Sequence, residues 1–396
     1  MKINKKVIQT LWVIIIFLSP GLPAQKNYSF INYNLNQIIG GVMSDWTKDI
    51  SGLQSGDKKT LTLLHFGGSH VQAGFWSHKF LKNLISVEKL NVKGYIFFPY
   101  AVIKSNHPPF VNTYAVGRWK KCRTVPKEFC EPLGPMGVSA FTADSMVVLR
   151  MALNKKESLM KSFKYVKIRH HISGNTYLKC TYPQGTKLNV DTNSAHIYLN
   201  EPTDSIEIQI LNPDTLSNYR VFYAQFLNPD ESGVVFGAMG ANGASSESMN
   251  RVKNMSSFMQ EIHPDWVFIS YGVNDVQSKN FNTKDFYRNY DSLISKINFK
   301  NQAKILLMGI TDNYIRKKGN NPKTTAGSQT IQKLASDKGY WYWPLYDVMG
   351  GKKSIQKWYK AGLAKRDRIH LNHKGYYLLA DLMSDAFYQK LNEQRP

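Results

Sequence analysis

Two kinds of hydrophobic pattern divide the chain. From residue 60 an apolar run, "TLTLLHF", is followed by Phe80, Leu81, Leu84 and Ile85 at helical spacing and then by "GYIFFPY". Continuous apolar runs predict strands buried on both faces, and the 3.6-residue stripe between them predicts a covering helix. The alternation resumes near residue 236. "VVFGAMG" predicts a strand, and "SSESMNRVKNMSSFMQEI" a helix with serine caps. "DWVFISYG" predicts a strand and "TKDFYRNYDSLISKI" a helix capped by Thr283. "AKILLMGI" is a strand, "SQTIQKLASDKG" a helix, "YWYWPLYDV" a strand and "HKGYYLLADLMSDAFYQKL" a closing helix. Apolar strands alternating with helices imply an α/β fold, a parallel sheet with helices on both faces.

The middle is patterned differently. Between about 145 and 230, short runs of period two such as "SMVVLRMAL", "YVKIRHHIS" and "SIEIQIL" are separated by "SGN", "PQG", "EPTD" and "NPD". That is the pattern of an all-β sandwich. Residues 101–144, rich in Pro, Gly and Asn, read as an irregular lead-in. The expected organisation is an α/β domain in two parts, 25–100 and 236–396, interrupted by a β-rich module over 101–235.

The first 24 residues stand apart. "MKINKK" is basic, "VIQTLWVIIIFL" is apolar and "SPGLPA" ends in small residues. This is the pattern of a secretory signal peptide cleaved near Ala24, so the expected product is exported, periplasmic or secreted. No later stretch is apolar enough to span a membrane. The net charge is +23, three of it carried by Lys2, Lys5 and Lys6 of the leader. A basic exported protein attracts anionic envelope polymers. Export and the lack of any nucleic-acid motif argue against a nucleic-acid partner. Cys122 and Cys130 are close enough to bridge in an oxidising compartment, leaving Cys180 free, or all three are reduced and packed. The sequence does not set the oligomeric state.

In open α/β sheets the chemistry sits at the carboxyl ends of the strands. The first strand runs into Gly67, Gly68 and Ser69, the second block into "GANGAS", the third into "YGVND", and "DRIH" precedes the last helix. These supply the parts of acyl transfer. Ser69 is a candidate nucleophile, and equally a candidate helix cap after a glycine turn. His370 is the candidate base and Asp367 the carboxylate that orients it. The Ser69 and Gly243 N–H groups and the Asn274 amide are candidate oxyanion donors. "GANGAS" alone could cradle a phosphate, but it lacks the P-loop lysine. His170 and His171 point to opposite faces of a strand and cannot easily share a metal. His65 reads as a core residue, and His70 as a pocket or helix-start residue. Core packing accounts for "YWYWPLY" better than a sugar platform does. No metal or cofactor constellation emerges.

These blocks resemble those of the SGNH (GDSL-type) hydrolases, centred on Ser, Gly, Asn and a D-x-x-H pair. Here they fall on Ser69, Gly243, Asn274 and Asp367 with His370. The resemblance covers 63–76 and 236–385 and implies a three-layer, flavodoxin-like parallel sheet. With a G-x-S-H first block, a signal peptide and a β insert, the chain is most similar to the periplasmic peptidoglycan O-acetylesterases, whose insert resembles a jelly-roll-like carbohydrate-binding module. The implied activity is removal of O-acetyl groups from an envelope or other polysaccharide, peptidoglycan first, through an acetyl-enzyme and without a cofactor. One position departs from the pattern: Gly68 stands where the family carries Asp. That departure keeps open a weakened or inactive SGNH-fold glycan-binding protein, and the superfamily itself keeps open a lipase or thioesterase.

Overall fold

The structure, a computed structural model, describes residues 27–41, 44–315 and 318–392. The signal-peptide segment 1–24 lies outside them.

Five parallel strands form the centre: β1 (Thr60–Gly67), β2 (Gly233–Gly240), β3 (Trp266–Ser270), β4 (Lys304–Met308) and β5 (Trp341–Trp343). Their spatial order is β2-β1-β3-β4-β5, the flavodoxin-like arrangement. The order reverses at β1, so the crevice at the carboxyl ends of β1 and β3 is where such sheets place a ligand. Gly67 pairs with Gly240 on one side and Ser270 on the other, bringing three chain segments to one level of that edge.

The strand Val92–Phe97 runs parallel beside β2 and carries the sheet onward into antiparallel pairing with Asn218–Leu227. Phe163–Ser173, Ser194–Thr203 and Lys187–Val190 follow in turn. A second, four-stranded antiparallel sheet runs Val111–Val116, Met146–Leu153, Ser205–Leu211, Tyr177–Tyr182. Its alternate residues, among them Leu149, Met151, Ile206, Ile208 and Ile210, are buried in the core shared with the α/β part. The strand-rich region is thus joined to the central sheet by hydrogen bonds.

The segment 101–144 is more regular than its composition suggests. It holds the strands Val111–Val116, Lys120–Arg123 and Val138–Thr142. The expected helix over 245–262 is two helices, Ser246–Met249 and Met255–Ile262. Asn250 interrupts it: its side-chain amide donates to the Ser246 carbonyl at 3.2 Å, the acceptor a continuing helix would use, and to the Asn289 carbonyl at 2.8 Å. The helix Thr283–Ile297 is capped by Asn282, whose side chain accepts from the Asp285 N–H at 2.8 Å, and not by Thr283. The strand expected over 340–348 stops at Trp343, because Pro344 cannot donate to the ladder, and a short helix, Leu345–Val348, follows.

Two long helices set the frame of the crevice. Phe75–Glu88 comes just after Ser69, and His373–Asn392 just after His370. The Asn83 amide ties them together, donating to Asp381 and to the Ser384 hydroxyl, both at 2.9 Å.

Candidate active site

β1 ends at Gly67, and the helix Ser69–Gln72 begins at once with Gly68 as its cap residue. Ser69 is therefore the first helical residue and makes no capping bond. Its hydroxyl lies 2.7 Å from His370 Nε2, across 301 positions of sequence.

The loop before the last helix holds that imidazole in place. One Asp367 oxygen accepts the backbone N–H groups of Ile369 and His370 at 2.9 and 3.0 Å, and the other meets His370 Nδ1 at 2.8 Å. An acceptor-only carboxylate requires the proton on Nδ1, which leaves Nε2 free to accept from the serine. Burial would raise the Asp367 pKa, but the His370 ring and the two N–H groups hold the carboxyl well below the usual range. Arg368 makes the turn with a left-handed backbone, φ +51°. Its carbonyl accepts the Tyr314 N–H at 3.0 Å.

Gly243 lies in the loop after β2. Its φ is +78°, a conformation that suits glycine. The loop is pinned from three sides. Gln72 accepts the Asn242 N–H at 2.7 Å, the Arg123 guanidinium donates to the Asn242 carbonyl, and Val125 Cγ1 would stand 3.1 Å from a Cβ at Gly243. Asn274 sits in the short helix Val273–Gln277 after β3, and its amide donates to the Ala244 carbonyl at 2.8 Å. A Cβ on Gly68 would stand 3.0 Å from that amide nitrogen and 3.3 Å from the same carbonyl. The segments bearing Ser69, Gly243 and Asn274 are therefore in mutual contact, and His370 with Asp367 reaches them from the carboxyl side.

Several contributors are invisible in the motifs. Buried Gln72 also donates to Ser105 Oγ at 2.8 Å and to the Asn106 carbonyl at 2.9 Å, linking three loops through one side chain. Asp275 accepts the Ser246 N–H at 3.0 Å and its hydroxyl at 2.5 Å, and burial pushes its pKa up to about 6. His70 stacks on His370 with ring centroids 5.3 Å apart, and its Nδ1 lies 3.1 Å from the Tyr376 hydroxyl. Burial, and then His370, push the His70 pKa down to about 3, so it is neutral at ordinary pH.

The remaining polar candidates pack elsewhere. His65 lies 2.9 Å from Ser270 Oγ and 2.8 Å from Ser77 Oγ. His170 is buried with Nε2 at 2.9 Å from the Asp191 carbonyl, whereas His171 is exposed. Trp341, Tyr342, Trp343 and Tyr346 are buried. Cys122 and Cys130 form a disulfide and Cys180 is free. Among the described residues no group of three or more His, Cys, Asp or Glu is placed to hold a metal ion, and no helix is long and apolar enough to cross a membrane.

Residues 209–378 match the GDSL-like lipase/acylhydrolase family. A solved peptidoglycan O-acetylesterase superposes over 90% of this chain and 99% of its own, with 19% identity and a TM-score of 0.69. Smaller matches include a GDSL-like lipase from Bacteroides thetaiotaomicron (19% identity, 39% of this chain and 76% of that one, TM-score 0.32). A lipase/acylhydrolase from Enterococcus faecalis matches at 20% identity over 40% of this chain and 78% of its own, with a TM-score of 0.32. No curated protein matches the chain. The protein thus has the fold of the SGNH hydrolases, built on the plan seen in a peptidoglycan O-acetylesterase.

Proposed function

We propose that the protein is an exported serine esterase that removes O-acetyl groups from a cell-envelope polysaccharide, peptidoglycan being the first candidate. The observation that carries this reading is the continuous chain Ser69 Oγ, His370 Nε2, His370 Nδ1, Asp367, with links of 2.7 and 2.8 Å. A serine hydroxyl bonded to a neutral imidazole, itself oriented by a carboxylate, is an activated nucleophile. The β insert, the basic charge, the leader pattern and the near full-length structural likeness support the substrate class and the export.

Ser69 Oγ attacks the acetyl carbonyl carbon as His370 Nε2 takes the hydroxyl proton. The carbonyl oxygen becomes an oxyanion, which the N–H groups of Ser69 and Gly243 and the Asn274 amide are proposed to receive. Collapse breaks the bond to the sugar oxygen, and the imidazolium returns its proton to that oxygen. The alcohol leaves and acetyl-Ser69 remains. A water then gives its proton to His370, attacks the acetyl group and releases acetate, and Ser69 recovers its proton. Asp367 stays ionised throughout and stabilises the transient imidazolium.

The test is acetate release from O-acetylated peptidoglycan and from a small aryl acetate by the purified chain, beside Ser69→Ala. The expected result is release by the first protein and only background release by the second. Equal rates would sink the reading.

A further inference from the structure

The loop that holds Asp367 and His370 belongs to a segment of lopsided charge. Between Gly351 and Lys374 the sequence has eight Lys and Arg side chains and a single acid, Asp367. That acid is engaged by His370 and two backbone N–H groups. Of the cations, Lys352, Lys353, Lys357, Lys360, Lys365 and Arg366 are exposed, as is Lys374, and Arg368 is half-buried. Among the described residues none of the eight forms an ion pair with a carboxylate. Elsewhere cations are matched locally: Lys121 and Arg123 by Glu128, Lys167 and Arg169 by Glu261, Lys333 by Asp337.

The segment folds as one edge. The Leu363 N–H donates to the Trp358 carbonyl, joining the loop to the helix Ser354–Lys360, and the Lys365 N–H donates to the His370 carbonyl at 2.8 Å. Arg368, between the two charge-relay residues in sequence, is held with its guanidinium 5.2 Å from the Tyr314 ring centre and 4.7 Å from that of Tyr359. A cation fixed by two aromatic rings loses little conformational freedom on meeting an anion. Like charges packed along an edge repel one another, and a polyanion lying across them relieves that repulsion and is drawn in from solution.

We propose that this edge docks the polymer that carries the ester, and that the polymer is an acidic polysaccharide. The proposal rests on the esterase reading above and adds the charge of its substrate. Two observations favour a glycan over a bilayer or a nucleic acid. No large apolar side chain is exposed within 351–374 to enter a membrane, and its aromatics are not open stacking platforms, since Trp358 is buried and Tyr359 lies against Arg368. The edge also leads directly into the loop of His370, where an ester on the bound strand would have to arrive.

The experiment compares acetate release from O-acetylated polygalacturonate, which is acidic, and O-acetylated xylan, which is neutral, at low and high salt. It also measures binding of unacetylated polygalacturonate. The wild-type chain is expected to favour the acidic polymer on the order of tenfold at low salt, and to lose that preference when added salt shortens the Debye length to about 3 Å. K365Q/R366Q, and separately K352Q/K353Q/K357Q/K360Q, should cut both the preference and the binding. Two variants on different elements guard against a folding failure in one of them. Equal treatment of the two polymers, a salt-independent preference, or tighter binding of RNA or phosphatidylglycerol vesicles than of polygalacturonate would overturn the proposal. If neither polymer nor a small aryl acetate is hydrolysed, the esterase reading fails, and the polygalacturonate binding measurement still decides whether the edge takes an acidic glycan.

Discussion

Gly68 faces the Asn274 side chain so closely that a Cβ there would stand 3.0 Å from the amide nitrogen. The acid that SGNH enzymes usually carry at this position has no ready space here. The carboxylate that ties the loops together comes from the other side: Asp275, next to Asn274, accepts both donors of Ser246 and so anchors the segment after Gly243. Replacing an acid with glycine beside the nucleophile is therefore accompanied by a buried acid on the neighbouring loop.

Gly68→Ala follows from that contact. The added methyl must push Asn274 or the Ala244 carbonyl by a few tenths of an ångström, and misplacement of an oxyanion donor is costly. The expected outcome is a fall in kcat of about tenfold with a loss of stability of about 1–3 kcal/mol. Steady-state kinetics and thermal melting check both, and an unchanged kcat would show that Asn274 does not need its present position.

The three residues Ser69, His370 and Asp367 should act as a unit. Ser69→Ala and His370→Ala are each expected to lower kcat by at least about 10³-fold, and the double variant by no more than the worse single one. Additive losses would mean that the 2.7 Å contact between the two side chains is not used in the reaction.

His70 predicts a pH effect on stability. Its folded pKa, about 3, lies below its ordinary value of 6.5, because burial disfavours the charged ring. A depressed histidine adds stability that is full above pH 6.5 and is lost as pH falls toward the folded value. At pH 5 the loss from this one group is about 2 kcal/mol. Asp275 and Asp385, both raised to about 6 with burial the main cause, titrate in the opposite sense. The diagnostic is therefore the difference between proteins. His70→Gln should lose about 2 kcal/mol less than the wild type between pH 7 and pH 5 in denaturant titrations. Equal losses would mean that His70 charges in the folded state.

The Cys122–Cys130 bridge closes the turn that carries Arg123 and Val125 to the Gly243 loop. Cys130→Ser is expected to cost about 2.5 kcal/mol of stability from loop closure alone. It should also lower kcat severalfold, because the Asn242 carbonyl loses a fixed donor. Activity with and without reductant tests this directly. Stability that falls while kcat holds would confine the bridge to a folding role.

Local pattern was enough to locate most elements of the α/β part. A run such as "KILLM" has no choice but burial, and the amphipathic stripe of 283–297 is a helix wherever it packs. The spacing of "GGS", "GANG", "GVND" and "DRIH" also marked which residues could do chemistry, since few residue types supply a nucleophile, a neutral-pH base and oxyanion donors. Local signals were weaker where side chains compete with the backbone. Asn250 splits a helix by taking a carbonyl four residues back, and three strands lie within the Pro- and Gly-rich stretch 101–144 because distant partners pair with them. Tertiary structure alone decided that the Ser69 hydroxyl turns to His370 instead of capping its own helix, because that bond depends on β1, the last helix and the Asn83 link between them. It likewise decided that Gly68 has no room for a side chain, that Asp275 supplies the buried carboxylate, and that the cations of 351–374 form one edge beside His370. Each of these depends on what lies opposite a residue in space, which neither its neighbours in the chain nor its own propensity can encode.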